Sequence, residues 1–275
     1  MYNGETTLKL LFPEKVVDLT KKFNLRIREV KRNSPQLVSN YVSFLYTDGK
    51  RAVDNNFSSF IWSFECNFYT EGNLFYHTEL DELFNMIYQR KAYYIWHDKT
   101  PGKKYLVNPL ALDATRKAAD RGTFTLQFEV FKGFGESLGS TMSDFTTDEA
   151  MWQFGQGIAS KDYKYKFSTN EFTVYNAGNF LINPRAHYLK ILIETQNSGE
   201  LRIDNQTTGD RFIYYPEMRV TDSLLIDGSE PKMNGTKCGR DTNHGLINLA
   251  VGENKIKISN TSKILSVWDF FYLYK

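Results

Sequence analysis

Gly252-Glu253-Asn254-Lys255-Ile256-Lys257-Ile258, followed after a polar break by Val267-Trp268-Asp269-Phe270-Phe271-Tyr272-Leu273-Tyr274, decides the fold class of this chain. From Lys255 to Ile258 apolar and charged residues alternate cleanly, the period-two signature of a strand with one buried face. Working upstream, Asp227-Gly228, Asn234-Gly235 and Thr208-Gly209 punctuate the same region as turn signals. Strands are predicted over 163–168, 171–175, 189–195, 199–204, 211–215, 223–226, 246–251, 255–259 and 266–274. In the third of these Leu189, Ile191 and Ile193 share a face opposite Lys190 and Glu194, while Leu192 departs from the alternation. Many short strands with no long helix imply a β-sandwich of two sheets.

The N-terminal half reads differently. Phe23, Leu25 and Ile27 alternate with polar residues, Leu37 to Tyr46 reads as extended, and Asp48-Gly49 makes a turn. Phe60, Trp62, Phe64, Cys66 and Phe68 line one side of a strand, and further strands are predicted at Tyr93–His97, Lys104–Val107 and Phe124–Phe131. One amphipathic helix interrupts them. Leu80, Leu83, Phe84 and Ile87 form its apolar stripe, with Thr78 as expected N-cap. Asp81 completes a capping-box-like start, Glu79 and Glu82 join it in the first turn, and Arg90 and Lys91 close the last turn. One helix among strands is an α+β pattern. Gly133, Gly135, Ser137, Gly139, Ser140 and Ser143 mark the expected linker, and Thr147–Phe154 a short helix beyond it. The organisation expected is therefore mainly β: an N-terminal α+β domain over 1–140 and a C-terminal β-sandwich over 141–275.

Composition narrows the function. The chain has 275 residues, enough for two domains with their own cores, and 15% aromatics suit pleated surfaces. Its 34 basic and 32 acidic residues nearly cancel, which argues against broad nucleic-acid binding. The run from Arg26 to Arg32 reads as a solvated strand face, since Glu29 and apolar residues interrupt it. Cys66 and Cys238 fit free thiols in a reducing compartment, and Cys66 a small core hydrophobe. Without a signal-like segment or a membrane-length apolar run, the expectation is a soluble chain not exported by an ordinary signal. The sequons at Asn56, Asn205, Asn234 and Asn260 read as chance in an Asn-rich chain.

No constellation for chemistry emerges. His77, His97, His187 and His244 are scattered singly and neither cysteine has a histidine nearby, so no metal site is expected. There is no phosphate loop. Asp227-Gly228 and Asp241 lack the spacing of a calcium loop and read as turn chemistry. The acidic residues at the helix start read as dipole and capping groups, not as a general acid/base pair. No catalytic residues, cofactor or metal are expected.

In order and spacing these segments resemble the distal tail protein (Dit) family of long-tailed phages that infect Gram-positive hosts. The resemblance rests on Tyr175-Asn176-Ala177-Gly178-Asn179 with Pro184, on Leu201 to Gly209, on Leu224-Leu225-Ile226-Asp227-Gly228, and on Leu249 to Ile258 centred on Gly252 and Asn254. Trp268 with Phe271-Tyr272-Leu273 closes it. In the first half it rests on Thr47-Asp48-Gly49, the Thr78 helix, Tyr93 to Asp98 before Pro101–Tyr105, and Phe124 to Phe131. It departs after Phe131, which is followed by Lys-Gly-Phe-Gly, and it lacks an obvious inserted carbohydrate-binding module.

The resemblance implies a virion tail-tip protein, made in the host cytoplasm, that forms a ring, usually a hexamer. The N-terminal domain would build the ring, often with an extended hairpin embracing the neighbouring subunit. The C-terminal galectin-like sandwich would dock receptor-binding or baseplate proteins. The ring would join the tail tube to the tail-associated tip protein and pass DNA through its lumen without specific binding. The competing expectation is a carbohydrate-binding sandwich at the bacterial cell wall, with Trp152, Tyr214, Tyr215, Trp268 and Tyr272 as candidate stacking platforms.

Overall fold

The computed structural model describes residues 6–72, 74–143, 156 and 163–275. It divides into two compact units, residues 1–135 with Lys275, and residues 136–274. The architecture is mainly β.

In the first unit an antiparallel sheet runs in the order Val16–Asp18, Leu8–Leu11, Tyr93–His97, Lys103–Pro109, Arg121–Val130, Phe60–Tyr69, Leu25–Arg32. Its centre is the full-length pairing of Phe60–Tyr69 with Arg121–Val130, Phe64 opposite Leu126 and Cys66 opposite Phe124. Both strands bury every second residue, so the inward set is Phe60, Trp62, Phe64, Cys66 and Phe68 against Phe124, Leu126, Phe128 and Val130. Rows of this kind are what aromatic and branched side chains stabilise on a pleat.

The helix spans Tyr76–Ile87 and buries Tyr76, Leu80, Leu83 and Ile87. It begins two residues earlier than Thr78, and its N-cap Phe75 makes no side-chain capping bond. Packing overrides the capping signal here. The Tyr76 ring lies 5.6 Å from that of Phe68 and under the Arg116 guanidinium at 4.7 Å. Gly122 leaves the space, since a Cβ there would lie 2.1 Å from the Tyr76 hydroxyl. Arg90 and Lys91 fall beyond the helix, because Tyr88 leaves helical geometry. The end carbonyls are met instead by Tyr93 Oη, donating to Ile87 O at 2.8 Å, and by Gln89 Nε2, donating to Asn85 O at 2.6 Å.

In the second unit, one antiparallel sheet runs Lys166–Phe167, Ser262–Phe270, Leu189–Gln196, Ser223–Asp227, Glu230–Met233, Thr236–Lys237. The other runs Glu171–Asn176, Gly252–Ser259, Leu201–Asn205, Asp210–Tyr214. Their buried faces bring Leu189, Ile191, Ile193, Leu224, Ile226, Trp268 and Phe270 to meet Val174, Leu201, Ile203, Phe212, Ile256 and Ile258. Phe172 and Trp268 touch across the sandwich with ring centres 6.0 Å apart.

Two expectations change. The segment 246–251 is not a strand, and only Leu249 forms a bridge, to Ile182. The Gly/Ser stretch is ordered rather than loose: Ser137 and Thr141 are buried, Ser137 N donates to Tyr272 O at 2.8 Å, and Thr141 Oγ1 donates to Trp268 O at 2.7 Å. The short helix expected over 147–154 lies outside the described residues.

Candidate functional site

The histidines and cysteines fall at separate places in the fold, and His97 and both cysteines are buried. His97 is fully buried against Trp62, with ring centres 4.4 Å apart, and stacks parallel to Tyr105. Burial, with the positive charges of Lys99 and Arg32 nearby, pushes its imidazole down to about 4, so it is neutral at pH 7. Its Nε2 meets Thr100 Oγ1 at 3.2 Å, and its Nδ1 has no hydrogen-bond partner among the described residues. His77 is exposed beside Tyr76, and His187 Nδ1 accepts from Asn183 N at 3.0 Å. His244 is exposed and holds a left-handed backbone at φ 54°.

Cys66 and Cys238 are free and buried, in different units. Burial pushes the Cys66 thiol up to about 12 and raises that of Cys238. Asp227 holds Lys232 at 2.9 Å, while Asp241 sits in the 3-10 turn Gly239–Asp241. Among the described residues no three His, Cys, Asp or Glu side chains come together as a metal site would require.

The aromatic platforms proposed for sugar binding are lost to packing. Trp268 and Tyr272 are fully buried and Tyr214 nearly so; of the described members of that set only Tyr215 is exposed. Trp152 lies outside the described residues. Tyr272 instead shares a 2.5 Å hydroxyl contact with Tyr165 in the core. A terminal strand apolar on both faces supplies core, not platform.

What remains is surface. The outer face of the four-stranded sheet carries one row of alternating charge, since the registers set Glu171 beside Lys257, Lys257 beside Asp204 and Asp204 beside Arg211. Lys257 donates to Glu171 at 2.6 Å, and Asp204 accepts from Arg202 at 2.6 Å and Arg211 at 2.7 Å. Burial pushes the Asp204 carboxyl up, but the two guanidinium bonds outweigh it and leave it below the usual range. Such a self-neutralised ladder does not draw in a charged partner. On the first unit, the Arg26–Arg32 run is likewise answered, with Lys31 bound to Glu65 at 2.7 Å and Glu29 at 2.9 Å.

Among the described residues an arm leaves a run of apolar side chains uncovered. Between Arg32 and Phe60 the chain leaves the sheet and returns as a long hairpin. Leu37–Val38 pairs with Asn56–Phe57, and Tyr41–Val42 with Arg51–Ala52. Asn40 clasps the two legs, its Nδ2 donating to Asp54 O at 3.0 Å and Asn56 Oδ1 at 2.9 Å. Every residue from 36 to 56 is exposed, including Leu37, Val38, Tyr41, Val42, Phe44, Leu45, Tyr46 and Val53. At about 3.3 Å per residue each leg reaches roughly 30 Å. The sequence showed these residues as extended; that nothing of their own unit covers them was not visible in alternation.

The described residues thus form two β-rich units, the first bearing an exposed apolar arm. Residues 14–130 match the family described as phage tail protein RIFT-related domain. The fold is that of the Dit protein of phage SPP1, called a paradigm of the hub adsorption apparatus in phages infecting Gram-positive bacteria, with a TM-score of 0.70 at 11% identity over 96% of this chain and 99% of that one. Two structures of the phage p2 baseplate in its activated conformation, with calcium and with strontium, give TM-scores of 0.44 and 0.42 at 12% identity. A search of curated protein sequences finds no match. Residues 14–130 therefore carry a phage tail protein RIFT-related domain, and the chain as a whole has the fold of the SPP1 Dit protein.

Proposed function

We propose that this chain is a non-enzymatic structural protein of the phage tail tip, a ring of six copies built by the N-terminal unit. The observation that carries this reading is the exposed arm. A two-stranded hairpin is marginal in water without a surface to pack on, and eight large apolar side chains on it call for one. A head-to-tail contact in which each arm lies on the next copy covers all arms at once when it closes into a ring. The C-terminal sandwich then presents its loops and outer faces to receptor-binding or baseplate proteins. The tail tube would sit above the ring and the tail-associated tip protein below, with DNA passing through the lumen. A net charge of +2 suits that passage, because a strongly basic lumen would retain the DNA.

The test replaces residues 36–56 by a short Gly/Ser turn, which removes no buried residue. Light scattering and negative-stain images should show a ring with a central hole for the native chain and a folded monomer for the deletion. A native chain that stays monomeric at high concentration, or a deletion that still closes the ring, overturns the proposal.

A further inference from the structure

A cavity of about 200 Å³ opens at one end of the sandwich, and its chemistry is amphipathic. Phe212, Ile226, Pro231 and Leu246 supply apolar lining, and Arg185 and His244 line it as exposed cationic or polar groups. Three loops build it, and each is pinned. Asn183 Oδ1 accepts from Arg185 N at 3.0 Å, fixing the first. Gly228, at φ 61°, donates its N–H to Leu189 O at 2.9 Å, and a Cβ there would lie 2.9 Å from Pro184 O.

The third loop is clamped to the edge strand Asp210–Tyr214 by Asn243. Its Oδ1 accepts from Ile213 N at 2.9 Å and Gly245 N at 3.0 Å, and its Nδ2 donates to Arg211 O at 3.2 Å. His244 between them is held at φ 54°, a conformation that a non-glycine residue adopts at a cost. No acidic residue lines the cavity, and Arg185 makes no ion pair among the described residues. The nearest acids on the neighbouring hairpin are already engaged, Asp227 with Lys232 and Glu230 with Lys237.

We propose that this cavity is a socket for a partner-protein segment in which a branched aliphatic side chain is followed by a carboxylate. The aliphatic group would fill the apolar lining, and the carboxylate would meet Arg185 and the His244 ring. The volume is below the roughly 300 Å³ of small-molecule sites and suits a single anchoring side chain. An exposed guanidinium that lines an apolar cavity and has no ion pair among the described residues favours a carboxylate over its neutral isostere. Only the choice of a protein as partner rests on the tail-tip reading.

The test is methyl-resolved NMR of the full chain, titrated with acetyl-Leu-Asp-amide and with acetyl-Leu-Asn-amide. The Ile226 and Leu246 methyls should shift saturably, with the Asp peptide binding about tenfold more tightly than the Asn peptide at low salt. Arg185→Gln should bring the two peptides to within about threefold of each other. His244→Asn, which tolerates the left-handed backbone, should weaken the Asp peptide selectively. Equal affinity for the two peptides, or no saturable shift at Ile226, overturns the socket. A failed ring with an intact peptide preference would sink the tail-tip proposal alone, and the converse would sink the socket alone.

Discussion

Replacing Asn254 by alanine removes four hydrogen bonds from a fully buried side chain. Its Oδ1 accepts from Ala250 N at 2.8 Å and Asn205 Nδ2 at 3.1 Å, and its Nδ2 donates to Ala250 O at 2.8 Å and Gly252 O at 3.2 Å. At about 1 kcal/mol net for each, the loss comes to about 4 kcal/mol, a large share of the 5–15 kcal/mol typical of a domain. Water entering the vacated space lowers the figure, and buried groups left bare raise it. Urea unfolding of the full chain measures the loss, and hydrogen exchange locates it: protection should fall over 246–258 and stay unchanged over Phe60–Tyr69. Asn254→Asp sharpens the test. Its carboxylate would face the Ala250 and Gly252 carbonyls, which disfavours the charged form and raises the folded pKa above the ordinary value. The folded chain then holds a proton that the unfolded chain releases, so this variant loses stability as pH rises above about 4. A loss under about 1 kcal/mol for Asn254→Ala, with protection of 246–258 intact, would refute the claim that the asparagine holds this segment.

Three further outcomes follow from the same geometry. With His97 pushed down to about 4 by burial, the unfolded chain binds a proton that the folded chain refuses, so stability falls as pH drops from about 6.5 to about 4. The full loss is about 3 kcal/mol, and His97→Phe should flatten that slope in acid unfolding curves. Gly245→Ala would place a Cβ 1.9 Å from Arg211 O, so the loop must leave the edge strand, and a melting temperature within error of the native value would contradict so close an approach of the two backbones. Cys66, buried and raised to about 12, should stay unreactive toward a thiol reagent at pH 8 until the chain is unfolded, with rapid native-state labelling at Cys66 as the contrary result.

Alternation made most of the fold legible. Lys255-Ile256-Lys257-Ile258 and Phe60–Tyr69 show each partner face one residue at a time, and both are strands in the structure. The helix is legible in type but not in its ends, because Tyr76 is positioned by Gly122, far along the chain, and by Phe68 on a neighbouring strand. The segment 246–251 reads as a strand because its apolar residues mimic one, whereas much of its backbone is satisfied by side chains. Asn205 Nδ2 donates to Asn248 O at 2.7 Å, Asn176 Nδ2 to Leu249 O at 3.2 Å, and Asp210 accepts both Asn248 N–H groups. The socket was invisible for a similar reason. Arg185, Gly228 and His244 share no sequence pattern and meet only because three turns converge at one end of the sandwich.

The asparagine network also bears on how the loops of this sandwich are held. A buried amide that satisfies two or three backbone groups at once leaves few substitutes, since each neighbour left unmet costs about as much as a lost packing contact. Apolar core positions tolerate exchange as long as volume and patterning are kept. Asn176, Asn205 and Asn254 are each fully buried, and each turns a strand end into a loop. They lie in the very runs on which the resemblance to distal tail proteins rests. These are positions where irregular backbone is satisfied from the side, and they fix loops of the sandwich. Loops held by buried amides rather than by regular pairing leave their outward side chains free of the task of holding the backbone.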